Sequence, residues 1–384
     1  MREAIFFLAL ASANSGISLR VVEPMLPRLA GDFGVSVSAA SIVITAFGMA
    51  SAIGSLMHGP LGDRFGKLRM ATIAMLGAGA GSIACAFAHS IGALALLRFV
   101  TALFGSASVT LGMAYIGDRV PLAERQPVVA RFVAGTISGQ ALGPFLGGLF
   151  TDLLGWRGSF LVLGGVFAAV AATLILRTRT QWSTEARGAR GGNPFTAHAR
   201  LLRSKTVRYV LGTALVDSFL FFGAYSFIGA FLKIKYELSL TLIGAILAGF
   251  GVGGVLYTLS VGPLLRSLGQ RGLVTWGGAI CAGAFASIVL APVWPPVVLS
   301  AIVLGFSFYM LHNTVQTKAT EMAPQARGAA VAIYASCWSL GQALGVAAMS
   351  AAVGRVGYPP AIIAFGLGFA ALGLWMRGNL HRLS

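Results

Sequence analysis

Twelve apolar stretches of about twenty residues recur along the chain, and this repetition decides most of what it can fold into. A run of that length crosses the ~30 Å hydrocarbon core of a bilayer as a helix. The runs lie at about 4–28, 38–60, 70–90, 92–116, 127–151, 158–177, 207–232, 240–262, 272–292, 294–317, 327–351 and 357–376. Strand-type alternation is nowhere sustained, which excludes a β-barrel. Only 10% of the 384 residues are charged, against roughly 25% in a soluble domain. The expected fold class is an all-α, polytopic membrane protein.

The N-terminus imitates a signal peptide, with Arg2, an apolar run and the small triplet Ala11-Ser12-Ala13. Cleavage there would halve the first span and remove the partner of a later one, so an uncleaved first helix is expected. With the N-terminus inside, Arg28, Arg157, Lys233, Lys235 and Arg355 fall outside, and Arg20 and Arg98 fall within spans. The other 21 of the 28 Lys and Arg are cytoplasmic, a strong positive-inside bias. That bias accounts for the net charge of +17 without nucleic acid, since the basic residues are spread over loops with no interleaved aromatics. Cys85, Cys281 and Cys337 all lie in apolar spans, so neither a disulfide framework nor a metal site is expected.

Residues 178–206 break the rhythm with one acid and many Arg, flanked by six spans on each side. This segment predicts a cytoplasmic linker between a bundle over 1–177 and a second over 207–384. The two halves are copies. A shift of 203 lays Phe47-Gly48 on Phe250-Gly251, Gly59-Pro60-Leu61 on Gly262-Pro263-Leu264 and Gly66 on Gly269. A shift of 202 lays Arg125 on Arg327 and Gly139–Gly143 on Gly341–Gly345. Parallel six-helix repeats joined by a linker resemble the architecture of the major facilitator superfamily. The resemblance covers the whole chain and implies two pseudo-symmetric six-helix bundles.

Shorter motifs sharpen the resemblance. "GPLGDRFGKLR", Gly59 to Arg69, resembles the superfamily's loop between helices two and three. Gly59 suits close helix packing, Gly66 a tight turn, and Asp63 is a carboxylate at a helix end able to pair with a cation. The resemblance makes Gly59, Asp63, Arg64, Gly66, Arg69 and Arg119 a conformational latch, with Arg119 the expected partner of Asp63. The second copy carries Arg266 in place of Asp63. Helix five spaces Gly135, Gly139, Gly143 and Gly147 at intervals of four, which lets two helix backbones approach closely in lipid. Pro144 removes a backbone donor and is expected to bend the helix, and Gly148 extends the smooth face. Helix eleven keeps Gly341 and Gly345 but not the proline or the trailing pair. The Gly-x-x-x-Gly-Pro-x-x-Gly-Gly element resembles that of the superfamily's antiporters, which implies a seal against proton leak. "GFGVGG" at Gly249–Gly254 matches a dinucleotide fingerprint but sits inside a span without a preceding strand, so nucleotide binding is not expected.

Charges inside the membrane are expensive and are therefore functional candidates. Four stand out: Arg20 and Glu23 on helix one, Arg98 on helix four and Asp217 on helix seven. Arg20 and Glu23 share a helix face and can pair. Glu23 opens "EPMLP", an expected kink, with Arg98 facing it at similar depth. The resemblance ties Arg98 to proton transfer. Asp217 lies near mid-membrane and aligns with Asn14 in the first copy. No basic residue lies within two turns of it, so it is the favoured proton carrier, with Glu23 the alternative. His312, Asn313 and Gln316 form a polar cluster on helix ten. With Asn14, Phe222 and Tyr225 they are candidates for lining a substrate cavity, while other aromatics of helix seven (Phe219, Phe221, Phe227) suit a cavity wall or a lipid face. No paired acids or Ser/His/Asp set suggest an enzyme.

The drug–proton antiporter branch of the superfamily fits these motifs best. The expectation is proton-coupled efflux of small amphipathic solutes by a monomer in a bacterial-type inner membrane, both termini cytoplasmic. The proton gradient would supply the energy without a cofactor, and lipid and substrate would be the only other partners. A dedicated exporter of one metabolite or a proton-independent facilitator is the alternative.

Overall fold

The computed structural model describes residues 2–179, 182, 194–323 and 327–383. Its helices are α1 (Arg2–Arg20), α2 (Leu26–Phe33), α3 (Val37–Ala40), α4 (Ile42–Phe65), α5 (Lys67–Cys85), α6 (Ile91–Gly105), α7 (Ala107–Arg119) and α8 (Leu122–Thr178). After them come α9 (Pro194–Leu201), α10 (Lys205–Tyr236), α11 (Leu240–Leu290), α12 (Pro295–Glu321), α13 (Arg327–Val356) and α14 (Tyr358–Asn379). No strand occurs among the described residues. Of the expected linker, 180–181 and 183–193 lie outside them, and α9 occupies part of the remainder.

Nine helices among the described residues are long and apolar enough to cross a membrane, yet the chain makes twelve passes. Two of the nine, of 55 and 51 residues, would each be roughly 80 Å long if straight. Each breaks at a glycine of positive φ, α8 at Gly155 (73°) and α11 at Gly269 (62°). The partners show that both fold back. Along α12, Phe250 of α11 meets Gly305 and Tyr257 meets Asn313, so that arm runs parallel to it. Ser287 of the other arm meets Ser300 and Gly277 meets Ser307, so this arm runs antiparallel. The twelfth pass is helix one, made of α1 and α2, while α3–α4 and α6–α7 form helices two and four. Helix one is not continuous over the expected 4–28, because Pro24 and Pro27 deprive the backbone of two donors. Residues 21–25 make turn-type bonds instead, among them Glu23 N–H to the Arg20 carbonyl (3.3 Å).

The duplication is visible in the backbone and at the contact between the halves. Gly66 (φ 95°) pairs in the repeat with Gly269 (62°), and Gly155 (73°) with Gly357 (80°). Each turns the chain in a conformation that a side chain disfavours. Gly48 of α4 packs on Ala343 of α13, where an added Cβ would meet the alanine methyl at 3.0 Å. Its repeat mate Gly251 packs on Ala141, the mate of Ala343. Ser350 Oγ donates to the Ser38 carbonyl at 2.8 Å. The mates of these two, Gly148 and Thr241, also adjoin. At Thr241 the backbone N–H and the hydroxyl both donate to Asp152 at 2.7 Å. All these contacts lie toward the end opposite the linker, the far end. A Cβ on Gly59, Gly117 or Gly262 at the linker end would meet no described atom within 4 Å, and the same holds for Gly31, Gly92 and Gly354 toward the far end.

Candidate functional site

Helix five positions the site by drawing helix one close. Gly135, Gly139, Gly143 and Gly147 of α8 lie in turn against Ala9, Ala13, Ile17 with Arg20, and Val21. A Cβ on Gly143 would sit 2.8 Å from Arg20 Cβ, and one on Gly139 or Gly147 would overlap a backbone carbonyl. The backbone stays helical through Pro144, its one interruption being Gly155. Pro144 and Gly148 serve a different partner from Gly147: a Cβ on Gly148 would strike the Leu240 carbonyl, and Gly244 of α11 rests on Pro144. Gly341 and Gly345 repeat the intrahalf part of this arrangement, packing α13 on Leu215 and Phe219 of α10.

Held this way, Arg20 and Glu23 form a buried ion pair at 2.9 Å, with side chains 3% and 0% exposed. Glu23 also accepts from Ser226 of α10 at 3.3 Å, across the halves. The Arg20 guanidinium lies 3.8 Å from the centre of the Phe222 ring, where the negative π face favours a cation. Arg98 does not face Glu23, contrary to expectation. Its guanidinium donates to Ser18 Oγ (3.1 Å) and the Ser18 carbonyl (2.7 Å) and lies 4.0 Å over the Phe47 ring.

Asp217 has the basic neighbour that its own helix lacks. His312 Nδ1 lies 2.6 Å from Asp217 Oδ2, joining α12 to α10 through two buried side chains. The imidazole stacks on Phe308, centroids 4.8 Å apart, and lies 5.9 Å from the ring of Trp338 on α13. The expected cluster on helix ten does not form: Asn313 turns to the Tyr257 hydroxyl (3.4 Å), and Gln316 is exposed. Asn14 is buried but donates to the Leu163 carbonyl (3.3 Å), tying helix one to helix six inside its own half. Tyr225 donates to the Leu247 carbonyl (2.9 Å). Phe221, Phe222 and Phe227 are buried rather than lipid-facing, and Phe219 stacks on Phe365.

Three residues that the sequence reading passed over complete the site. Tyr334, Trp338 and Gln342 stand at i, i+4 and i+8 on α13, one face of a helix. Their polar atoms (Tyr334 OH, Trp338 Nε1 and Gln342 Nε2) are buried without a hydrogen-bond partner among the described residues, as are Asp217 Oδ1, Arg20 Nη2 and Glu23 Oε2. Phe222 links the two groups, with Arg20 on its face and Trp338 at 5.2 Å. The spacing of the three was a usable signal, and Gln342 lay inside the repeated Gly-Gln-Ala-Leu-Gly. His58 was also missed; it bonds the Leu103 carbonyl at 2.7 Å.

At the linker end the latch residues are mostly exposed. Asp63 pairs with Lys67 at 3.4 Å, not with Arg119, and Lys67 also reaches Asp118. Arg119 lies over the Tyr115 ring at 5.9 Å, Arg64 over Phe65 at 5.1 Å, and Arg69 is exposed. Gly66 makes the expected turn. Gly59 does not pack closely: no described atom lies within 4 Å of a Cβ there.

This geometry agrees with what the chain resembles. The family model described as Major Facilitator Superfamily matches residues 8–346. An uncharacterized MFS-type transporter, YwfA of Bacillus subtilis, is 25% identical over 92% of this chain and 84% of its own length. The 4-hydroxybenzoate transporter PcaK of Acinetobacter baylyi is 29% identical over 42% of this chain, and the multidrug export protein EmrB of Haemophilus influenzae 28% over 40%. The matched parts span only 35% and 30% of those two relatives. A POT family transporter crystallised with 5-aminolevulinic acid has the same fold, with a TM-score of 0.80 at 12% identity over 100% of this chain and 96% of its own. A bacterial homologue of the lysosomal transporter Spinster gives 0.72 at 17%, covering 100% and 94%. The matched family, the twelve passes and the duplicated halves place this chain in the Major Facilitator Superfamily, as a multi-pass membrane transporter and not an enzyme.

Proposed function

We propose that the protein exports small amphipathic, ring-containing solutes in exchange for protons, by alternating access between the two halves. One observation carries this reading. Six polar atoms, on Arg20, Glu23, Asp217, Tyr334, Trp338 and Gln342, are buried without hydrogen-bond partners among the described residues, and Arg20 and Trp338 flank the Phe222 ring from opposite halves. Leaving such an atom unsatisfied costs about 1–3 kcal/mol, so the cluster has the chemistry of a site awaiting a ligand. Its donors and acceptors can each bind a polar group, while Phe222, Tyr225, Phe308 and Trp338 offer ring faces. The contacts that close the far end suit one state of such a cycle. The positive-inside bias puts the linker end and both termini in the cytoplasm, and the bacterial relatives favour an inner membrane.

The Asp217–His312 pair is the proposed proton site. A buried carboxylate and imidazole in contact can take up and release a proton as access alternates. The helix-five glycines support an exporter, because they seal helix one against helix five along its length. Among the relatives, EmrB is named for multidrug export and PcaK for 4-hydroxybenzoate transport. The test is a drug- and metabolite-susceptibility screen of cells with and without the protein, followed by uptake of each hit into everted vesicles. Accumulation that collapses with a protonophore is expected. Accumulation insensitive to the gradient would overturn proton coupling, and loss of hits from the cell exterior would indicate uptake instead.

A further inference from the structure

Between α10 and α14, on the membrane face of the second half, runs an apolar groove of about 450 Å³. Its walls include Gly212, Val216 and Leu220 on one helix and Gly368, Ala371 and Trp375 on the other. At the linker end it reaches Arg208 and Tyr209, which together with Lys205 line an adjoining space of about 330 Å³. Arg382 leans over the same place, donating to the Tyr209 hydroxyl at 3.1 Å with its guanidinium 5.4 Å from the ring.

We propose that this groove holds one anionic diacyl phospholipid of the linker-side leaflet, its phosphate between Lys205, Arg208 and Arg382 and an acyl chain along α10. Charge complementarity identifies the occupant. Lys205, Arg208 and Arg382 make no ion pair among the described residues. No acid lies on α10 before Asp217 or anywhere from 322 to 384. Arg208 spends one donor on the Leu202 carbonyl (3.2 Å), leaving the rest of its fork for a phosphate. Clustered basic residues at the membrane surface attract anionic head groups. Length agrees too. Arg208 to Leu220 is about 18 Å of helix, close to the ~15 Å of one leaflet's hydrocarbon. Gly212 is the floor, and its missing side chain leaves open space where a chain can lie.

The site does not depend on the transported solute, so it can be tested on purified full-length protein. Native mass spectrometry would compare phosphatidylglycerol with phosphatidylcholine of matched acyl chains. Wild type should retain one phosphatidylglycerol at concentrations where phosphatidylcholine is stripped, with an affinity preference of about 10-fold. The Lys205→Glu/Arg208→Glu double variant should lose that preference, and Gly212→Leu, which fills open space without strain, should weaken both lipids. Thermal melting without added lipid checks that each variant folds. Should a variant not fold, the wild-type comparison and single Arg208→Gln decide. Equal retention of the two lipids by wild type, or unchanged preference in folded charge variants, would overturn the proposal.

Discussion

Gly147 and Gly148 are neighbours in sequence with opposite duties, and alanine at each should produce opposite defects. Gly147 faces Val21 within its own half, while Gly148 faces Leu240 across the contact that closes the far end. An alanine methyl at 148 overlaps the Leu240 carbonyl oxygen and lies 2.9 Å from Thr241 N, where an ordinary contact is 3.4–4 Å. Both obstacles are backbone, so only movement of about 1 Å between the helices relieves them, costing about 1–3 kcal/mol. Only the far-closed state bears that cost. The ratio of closed to open protein should fall about 5- to 150-fold. At Gly147 the same overlap persists in every state, because helices one and five move together. It should lower the melting temperature by about 2–4 °C per kcal/mol and leave the ratio alone. The reporter is a Ser38→Cys/Ser350→Cys pair on the opposite, symmetric interface, where Ser350 Oγ is 2.8 Å from the Ser38 carbonyl. With Cys85, Cys281 and Cys337 replaced, a short cross-linker should join the pair readily in the parent and poorly with Gly148→Ala. Undiminished cross-linking in Gly148→Ala, or equal loss in Gly147→Ala, would refute the division of duties.

Asp217→Asn should keep its contact with His312 and fold normally, yet lose gradient-driven accumulation in everted vesicles. One exchanged proton sustains about a 10-fold solute ratio per pH unit, so the variant should fall to a ratio of about 1, and a retained gradient would remove Asp217 from the proton path. Glu23→Gln leaves Arg20, 3% exposed, without its carboxylate, a loss of about 3–5 kcal/mol visible as a large drop in melting temperature. Wild-type melting would show that the pair is not structural. Asp63→Asn, on an exposed helix end, should slow transport several-fold with unchanged melting, and a normal rate would dismiss the latch.

What the sequence made legible was local or repeated. Arg20–Glu23 at i, i+3, the glycine face of helix five and the turn at Gly66 each follow from helical geometry alone. Gly155 and Gly269, which break the long helices, lie in the short gaps between the expected spans. Asp217–His312 was hidden because its partners are 95 residues apart, and nothing in helix ten alone says which of its faces meets helix seven. The same blindness misplaced Arg98, whose partner is Ser18 and an aromatic face rather than the nearest acid. Asp63 and Gly59 departed from expectation for another reason. The resemblance supplied their roles, whereas Asp63 meets Lys67 four residues along the chain and no described atom lies within 4 Å of a Cβ on Gly59.

The two acids stand at different depths, which gives them different parts in the proposed cycle. Glu23 and Ser226 are 203 residues apart, the offset of the repeat itself, so each touches its own counterpart. Residues related by a pseudo-twofold axis can touch only beside that axis. On α10, Ser226 lies nine residues beyond Asp217, about 13 Å farther from the linker end, with Phe222 between them. On the proposed export path, a solute entering from the linker end would meet Asp217 and His312 before the Glu23–Ser226 contact. In that cycle, opening the far end parts the Glu23–Ser226 contact. Ser226→Ala removes a bond to a charged group, worth about 1.5–3 kcal/mol, from the closed state alone. It should lower the Ser38–Ser350 cross-linking yield as Gly148→Ala does, with melting and proton coupling retained. Because the two sites make separate contacts, their effects on the ratio should add. If Ser226→Ala leaves the yield unchanged while abolishing coupling, Glu23 rather than Asp217 is the acid that works with the proton.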